Sequence, residues 1–388
     1  MTKTQDSIRQ VFLSCIKVLL CLGLICLVIL GAYFWIPANV HYHITERYIF
    51  LNSGKNAHVS LGVIRPKSGP YQWVGNFNTS WEGVQQEDNK KYVDVIKLSG
   101  KIGSQETLEA IIEYDVKLVQ GSVTWTAPVE SFQRLPQPGI ESDCAVLKEQ
   151  TSNLIVDIPG KDVYKIYSFI TDYLTYSTVN MDRTSTSALK AYEVGSCVCA
   201  GYARLMTALC RASDIPSQMV IGFVYPDPWF ASKPSSVSQG DAHAWVEYYS
   251  ESQWKMADPA HGSGQLKILY FNRNDGRHIS YGEFEQTMSV IRELDAWVLN
   301  QAGLIVGDDN SLRYFAASTS EDVEFLPEIS IHRTWDGRWV NTAIFWVSSI
   351  WLLCKFRYKI ITIPPPKPNC AHSSTPRKSA TVEDNTNY

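Results

Sequence analysis

The sequence predicts an α+β protein flanked by membrane-spanning helices. Three observations indicate this fold class. Short runs that alternate apolar and polar residues fill the region from Val40 to about Glu130, apolar residues recur at helical spacing after residue 140, and a long apolar run lies near each end of the chain. A run of strands followed by a run of helices is typical of α+β proteins.

The first apolar run, from Val18 to Ile36, contains no charged residue. As a helix it is long enough to cross about 30 Å of hydrocarbon. Aromatic residues at 33–35 lie at its end, where such residues meet a membrane surface. A cleaved signal peptide is the alternative, but the run is long for one and no small-x-small cleavage site follows it. We therefore predict a cytoplasmic segment at 1–17 and an uncleaved transmembrane helix at 18–36.

The second apolar run, from Trp339 to Phe356, is only just long enough to span, and Asn341 interrupts it. A buried or interfacial helix is the alternative to a transmembrane helix at 339–356. Basic residues flank both apolar runs on their terminal sides, so the positive-inside rule predicts cytoplasmic termini and an extracytoplasmic middle.

Charge excludes one class of partner. The chain carries a net charge of −4 and both terminal segments are basic, so the region between them is acidic. Nucleic acid binding requires a basic face to meet the phosphates. A nucleic acid partner is therefore not expected.

The region 40–133 is predicted to form an antiparallel β-sandwich. Its alternating runs, among them HYHITERYIFL and LEAIIEYDVKLV, are separated by Gly, Pro, Asn and Asp. Such alternation indicates strands with one buried and one solvated face. A proline-containing linker, Arg134–Gly139, follows.

Helical patterns dominate the next predicted domain, 140–305. Val163, Ile166, Tyr167, Ile170 and Leu174 recur at helical spacing, and the run GEFEQTMSVIRELDAWVL predicts a second helix. Residues 306–338 are predicted to be a C-terminal extension of the outer domain. A polar tail that includes several prolines, 357–388, is predicted to be disordered and cytoplasmic.

The cysteines in the middle of the chain do not form a disulfide framework. Of nine cysteines, only Cys144, Cys197, Cys199 and Cys210 lie between the apolar runs, within about 300 residues. A thiol that stays free in an oxidising compartment is expected to have a function, and catalysis is one.

Cys199 is predicted to lie at the start of a helix. In GSCVCAGYARLMTALCRASDIP the apolar residues at 202, 205, 206, 209 and 212 form one helical face, which ends at Ile215-Pro216. The positive end of a helix dipole favours a thiolate there, and the free backbone N–H groups are suited to an oxyanion. A buried structural cysteine is the alternative.

His243 and Asp258 are predicted to meet across a hairpin. Two strand-like runs flank residues 250–252 in DAHAWVEYYSESQWKMADP. If those three residues form the loop, His243 pairs with position 259, and one bulge brings Asp258 opposite it. A carboxylate there fixes the imidazole tautomer, so that the other ring nitrogen serves the thiol. The alternatives are a slip of one residue in register, or an ordinary strand histidine and turn aspartate.

Three blocks of this sequence resemble the transglutaminase-like superfamily. CAGYAR from Cys199, with DIP from Asp214 and the strand MVIGFVY, resembles its nucleophile motif. HAWVE from His243 resembles the histidine motif, and the segment from Trp254 to Pro259 the aspartate motif. The resemblance covers about 161–259. It implies a papain-like fold, a catalytic triad of Cys199, His243 and Asp258, an acyl-enzyme intermediate and, as in most members, no catalytic metal.

Two positions depart from the family pattern. Cys197 stands where glycine is usual, and Gln218 where a basic residue is usual. Cys197 is the alternative nucleophile, but the family places an aromatic-Ala pair three residues after the thiol. Tyr202-Ala203 meets that spacing for Cys199 and not for Cys197.

No cofactor or metal is expected. A zinc site made of the Cys-x-Cys pair with His243 or His261 is the alternative, but this spacing is shorter than a CxxC knuckle and no second cysteine pair exists. His261 and His278 have no other predicted role.

The expected function is a membrane-anchored thiol hydrolase or acyltransferase that acts on peptide or carboxamide bonds of a protein or peptide substrate. Water as the acceptor gives a protease or amidase, and an amine gives a transglutaminase. A catalytically silent surface binding module is the alternative. The sequence leaves open the substrate, the acceptor, the oligomeric state and the second oxyanion donor.

Overall fold

The computed structural model describes residues 37–361 except 92, 156–160, 179–186, 226–234, 237–241, 264–266 and 307–312, together with scattered positions between 12 and 31. Only the backbone is described at 161, 235, 236 and 352–361. The segment 1–11, much of the apolar run 18–36 and the tail from 362 onward lie outside the described residues. The predictions made for them stay predictions.

The strands are β1 (Ala38–Asn52), β2 (Ala57–Pro66), β3 (Gln72–Ser80), β4 (Val84–Asn89), β5 (Val93–Ile102), β6 (Thr107–Ser122), β7 (Thr124–Trp125), β8 (Thr175–Tyr176), β9 (Ser196–Cys197), β10 (Ser217–Val224), β11 (Ser235–Ser236), β12 (Ala242–Ser250), β13 (Gln253–Ala257), β14 (Arg273–Asn274), β15 (His278–Glu283), β16 (Leu304–Ile305), β17 (Tyr314–Ser318) and β18 (Val323–Asp336). The helices from residue 37 onward are α1 (Ala145–Leu154), α2 (Lys161–Tyr173), α3 (Ala188–Val194), α4 (Cys199–Ala212), α5 (Pro259–Gly262), α6 (Phe284–Ala302) and α7 (Gly337–Ile361).

The alternating runs that begin near Val40 form strands, as predicted. In β1, Val40, Tyr42 and Ile44 are fully buried, and the residues between them are partly exposed. One sheet has the order β11-β18-β1-β6-β14, with β3 also paired to β6, and a second has the order β16-β17-β2-β5-β4. Buried side chains of both sheets belong to one continuous core.

A β-sandwich confined to 40–133 is not confirmed. The strand β18 pairs with β1 along its whole length, from Val40 opposite Asp336 to Asn52 opposite Val323, and β17 pairs with β2. The physical reason is that β1 and β2 would otherwise each leave a row of backbone N–H and C=O groups unpaired. Each main sheet is therefore completed by a strand from near the C-terminus.

A third sheet and a group of helices position the site described below. This sheet has the order β15-β10-β12-β13-β7. Helix α4 packs against β12 and is surrounded by α1, α2 and α3, and its residues from Gly201 to Arg211 are all buried. The helix predicted from the spacing of apolar residues at 163–174 is confirmed as α2, since all five of those residues are buried.

Helix α7 includes the second apolar run. Asn341 near its start donates its side-chain amide to the carbonyl of Pro37 at 2.7 Å. Further along, Ile344, Val347 and Trp351 expose most of their side chains. No helix in the described part of the chain is both long enough and apolar enough to cross a membrane. Among the residues that the structure describes, those up to Ala343 belong to one compact unit and those from Ile344 onward to another.

Candidate active site

Cys199 is the first residue of α4, as predicted, with Val198 in the N-cap position. Its side chain is neither fully buried nor fully exposed, and interaction with the His243 side chain lowers the pKa of its thiol. The first backbone N–H groups of a helix have no partner within the helix, and the dipole makes that end positive. The start of α4 therefore offers both an electrostatic partner for a thiolate and donors for an oxyanion.

His243 lies near the start of β12, where it pairs with Gly222 of β10. The hairpin from β12 to β13 exists, but its predicted three-residue loop is wrong. Ser250 pairs with Gln253, so the loop has two residues, Glu251 and Ser252, both with positive φ. Two-residue loops of this kind match the twist of the flanking strands. The slip of one residue places Asp258 diagonally across from His243 rather than opposite it.

Asp258 caps the short helix α5. Its Oδ1 accepts from the backbone N–H groups of Ala260 and His261, each at 3.0 Å. Its Oδ2 lies 2.8 Å from Nε2 of His243. Because Nε2 of His243 is used by Asp258, the other ring nitrogen, Nδ1, is left for the thiol of Cys199. Together with the effect of His243 on the Cys199 thiol, this contact gives the three predicted side chains the order thiol, imidazole, carboxylate.

Two further histidines contact Asp258, and sequence reasoning gave them no role. Nδ1 of His261 contacts Oδ2 of Asp258 and lies 3.1 Å from Nε2 of His243. Nε2 of His278 lies 2.9 Å from the same oxygen. The position of His261, three residues after a helix-capping aspartate, is a signal that the sequence offers. His278 has no such signal, because β15 reaches the site only by pairing with β10.

The pKa values of Cys199 and His243 are shifted toward each other. Burial raises the pKa of the Cys199 thiol, but the hydrogen bond and charge of His243 outweigh it, and the net pKa is lowered. Burial lowers the pKa of His243, but the charge of Asp258 outweighs it, and the net pKa is raised. Burial opposes ionisation of Asp258 as well, yet the neighbouring imidazoles hold its pKa well below the usual value.

His278 is held at both ring nitrogens. Its Nδ1 lies 2.8 Å from Oδ1 of Asp275, and Asp275 in turn accepts from Nε of Arg277 at 2.8 Å. Burial lowers the pKa of His278, but Asp275 and Asp258 outweigh it and raise the pKa to about 9. The ring of His278 is therefore fixed in orientation between two carboxylates.

The neighbouring cysteines lack the features of a nucleophile. Cys197 is fully buried, and burial together with the charge of Cys199 raises its pKa to about 12. Burial raises the pKa of Cys210 to about 12 as well. Both thiols are therefore protonated near neutral pH, which favours Cys199 over Cys197 as the reactive group.

One group of side chains has the composition of a metal site. His243, Asp258, His261 and His278 each offer one ligand atom, and these atoms lie within 4.8 Å of one another. Within the described residues, this group contains neither Cys197 nor Cys199, so the Cys-x-Cys zinc alternative gains no support.

The unusual Gln218 has a defined partner. Its amide donates to Oε2 of the buried Glu247 at 2.8 Å, and the hydroxyl of Tyr71 donates to Oε1 at 2.7 Å. Burial raises the pKa of Glu247, and these hydrogen bonds only partly oppose it. Two neutral donors therefore satisfy this carboxyl group at the place where the family pattern has a basic side chain.

Tyr202 joins the start of α4 to the end of α2. Its buried hydroxyl donates to the carbonyl of Leu174 at 2.7 Å. Replacing Tyr202 by phenylalanine leaves that carbonyl without this donor, so we expect the free energy of unfolding to fall by about 1–2 kcal/mol. Urea unfolding of both proteins measures the difference. An unchanged midpoint and slope would show that the Tyr202 hydroxyl makes no net contribution to stability.

Comparison with known proteins gives a partial match. Residues 146–259 match the family model of the transglutaminase-like superfamily. A protein-glutamine gamma-glutamyltransferase of Pseudomonas aeruginosa is 38% identical over 71 residues, which are 18% of this chain and 11% of that protein. The chain therefore spans about a tenth of the length of this curated relative. The segment that matches the family model ends at Pro259, where the aspartate motif also ends.

Similar solved structures include a cysteine protease candidate from Cytophaga hutchinsonii, with a TM-score of 0.47 and 14% identity over 78% of this chain and 94% of that one. The periplasmic domain of TgpA from Pseudomonas aeruginosa is also similar, with a TM-score of 0.29 and 19% identity over 57% of this chain and 75% of that one. The match to the family model indicates a transglutaminase-like α+β fold within residues 146–259.

Proposed function

We propose that the transglutaminase-like core of this protein is a thiol hydrolase or acyltransferase that acts on carboxamide or peptide bonds. Cys199 is the nucleophile, His243 the acid and base, and Asp258 the residue that orients His243. One observation carries the proposal: His243, which lowers the pKa of the thiol at the start of α4, is bonded at 2.8 Å to the buried carboxylate of Asp258.

The reaction follows from this arrangement. The Cys199 thiolate attacks the carbonyl carbon, and the backbone N–H groups at the start of α4 stabilise the oxyanion. The C–N bond breaks as the His243 imidazolium donates its proton to the leaving nitrogen, which leaves a thioester on Cys199. Water or an amine then attacks the thioester and gives a proton to His243, so that the thiolate leaves and the ion pair is restored.

The acceptor in the second step separates two activities. Water gives a protease or amidase, and a primary amine gives an isopeptide or amide product. The name of the Pseudomonas relative supports testing the amine first, with glutamine as the acyl donor. Both activities use the same thioester, so both require Cys199, His243 and Asp258.

We further propose that the chain is membrane-anchored, with this core outside the cytoplasm. The uncharged run 18–36 and the basic residues outside both apolar runs support this orientation. Carbonate extraction of membranes tests the anchoring. Labelling of Cys199 in intact cells by a membrane-impermeant maleimide tests the side on which the core lies, and labelling only after lysis would contradict it.

Thiol reactivity tests the nucleophile directly. Because His243 lowers the pKa of Cys199, we expect iodoacetamide to alkylate it at pH 7 at least about tenfold faster than Cys144 or Cys210. Alkylation of Cys199 should rise as the pH rises through its lowered pKa, whereas Cys210, with a pKa of about 12, should remain slow up to pH 9. Peptide mapping by mass spectrometry measures each site.

The matched control is His243→Gln, which removes the partner of the thiolate and should return the alkylation of Cys199 toward that of an ordinary thiol. Equal rates at Cys199 and Cys144 in the unaltered protein would overturn the proposal. Full biological activity of a Cys199→Ala variant would favour a surface binding module instead.

A further inference from the structure

Three imidazole nitrogens converge on one carboxylate oxygen. Oδ2 of Asp258 lies 2.8 Å from Nε2 of His243 and 2.9 Å from Nε2 of His278, and it also contacts Nδ1 of His261. A catalytic triad requires one imidazole on its carboxylate. The proposed reaction therefore leaves His261 and His278 without a role.

The donor atoms are those that a transition metal of the zinc class prefers. Three imidazole nitrogens and one carboxylate oxygen suit Zn²⁺, whereas Ca²⁺ and Mg²⁺ favour oxygen ligands. Zinc holds nitrogen at about 2.0–2.1 Å, so the ligand atoms of a tetrahedron lie roughly 3.3 Å apart. Here all four atoms lie within 4.8 Å of one another, and those of His261 and His243 are 3.1 Å apart. The ligand atoms are therefore within about 1.5 Å of the spacing of a tetrahedral zinc site.

The surrounding contacts also match a metal site. Metal-binding histidines commonly donate their second ring N–H to a carboxylate. His278 has that arrangement, because its Nδ1 lies 2.8 Å from Asp275, which Arg277 holds in place. Oδ1 of Asp258 is fixed by two backbone amides, which leaves Oδ2 for an ion. The His261 side chain is 24% exposed and provides a route from solvent.

We propose that His243, Asp258, His261 and His278 form a reversible binding site for Zn²⁺, and that the ion inhibits the enzyme. The inhibition rests on the proposed function, whereas the binding does not. Zinc on Nε2 of His243 separates that imidazole from Asp258. Donation of the remaining Nδ1 proton to a leaving amine would then leave an imidazolate, so acyl transfer stops until the ion dissociates.

Binding is tested in a Cys199→Ser chain, which removes the thiol as a zinc ligand. Competition of Zn²⁺ with a chromophoric chelator should give one ion per chain, with a dissociation constant below about 1 µM. The variants His261→Gln and His278→Gln, made in the same background, should each weaken binding at least about tenfold. Co²⁺ in place of Zn²⁺ should show the strong visible absorption of a tetrahedral site.

The matched control is His43→Gln, since His43 is a half-exposed histidine whose Nδ1 also lies 2.8 Å from an aspartate, Asp115. It should leave zinc binding unchanged. Thermal unfolding shows whether the His278→Gln chain is folded, and the more exposed His261 provides a second variant if it is not.

Inhibition is measured as the ratio of rates with and without Zn²⁺ in the chain that retains Cys199. In the unaltered chain, Zn²⁺ should lower the rate at least about tenfold, and a chelator should restore it. In His261→Gln, Zn²⁺ should lower the rate by a smaller factor. Zinc binding that disappears with Cys199→Ser but persists in His261→Gln would mean ordinary thiolate binding and would overturn the proposal. So would a chain that binds no Zn²⁺ at micromolar concentration, whether or not acyl transfer is found.

Discussion

Replacing Asp258 by asparagine is expected to lower kcat/KM for acyl transfer by about 10³–10⁴-fold while the protein still folds. The carboxylate of Asp258 fixes the tautomer of His243 and raises its pKa, and both effects favour the imidazolium that stabilises the thiolate. The side-chain amide of asparagine has nearly the same shape as the carboxylate but carries no charge. It accepts hydrogen bonds through its oxygen atom only. The ion pair between Cys199 and His243 should therefore weaken.

Alkylation of Cys199 by iodoacetamide at pH 7 gives a second measurement for the same variant, and it should slow as the thiolate fraction falls. Asp94→Asn is the matched control, because Asp94 is a largely buried carboxylate that Arg65 contacts at 2.7 Å, away from the site. That variant should keep its activity. A loss of less than about tenfold in Asp258→Asn would show that Asp258 does not orient His243 during the reaction.

Replacing Gly222 by alanine is expected to lower the free energy of unfolding by about 3 kcal/mol or more. A Cβ atom at this position would lie 1.9 Å from the carbonyl oxygen of Ile279 and 2.9 Å from the ring of Trp245. Because the carbonyl oxygen of Ile279 belongs to the backbone of β15, this strand would have to move to make room for the added Cβ atom. The register of β10 and β15 already shifts between Ile221 and Gly222.

The same substitution should also disturb the site, since Gly222 pairs with His243 and β15 carries His278 next to Ile279. Urea unfolding measures the stability, and alkylation of Cys199 reports on the site. Gly69→Ala is the control, because its added Cβ would meet only a side-chain atom of Gln72 at 4.0 Å. If the free energy of unfolding of Gly222→Ala lies within about 0.5 kcal/mol of that of the unaltered protein, β15 can move without loss of stability.

Much of the candidate site was predictable because its signals are local. The start of α4 at Cys199 follows from the apolar periodicity after it and the proline that ends it. The hairpin that carries His243 and Asp258 follows from two alternating runs around a polar loop. The register of this hairpin could not be predicted from the sequence, because the same residues are compatible with a loop of two or of three residues. The choice between them depends on the twist of the strands.

The sequence by itself determined the helix that begins at Cys199, the hairpin that carries His243 and Asp258, and their resemblance to transglutaminase-like proteins. Only the tertiary structure decided that β18 completes the sheet begun by β1, and that His278 and Asp275 lie behind Asp258. The physical reason is the range of the interactions. Helical and strand periodicity is written in neighbouring residues, whereas the pairing of distant strands depends on which edges and buried surfaces the rest of the chain leaves uncovered.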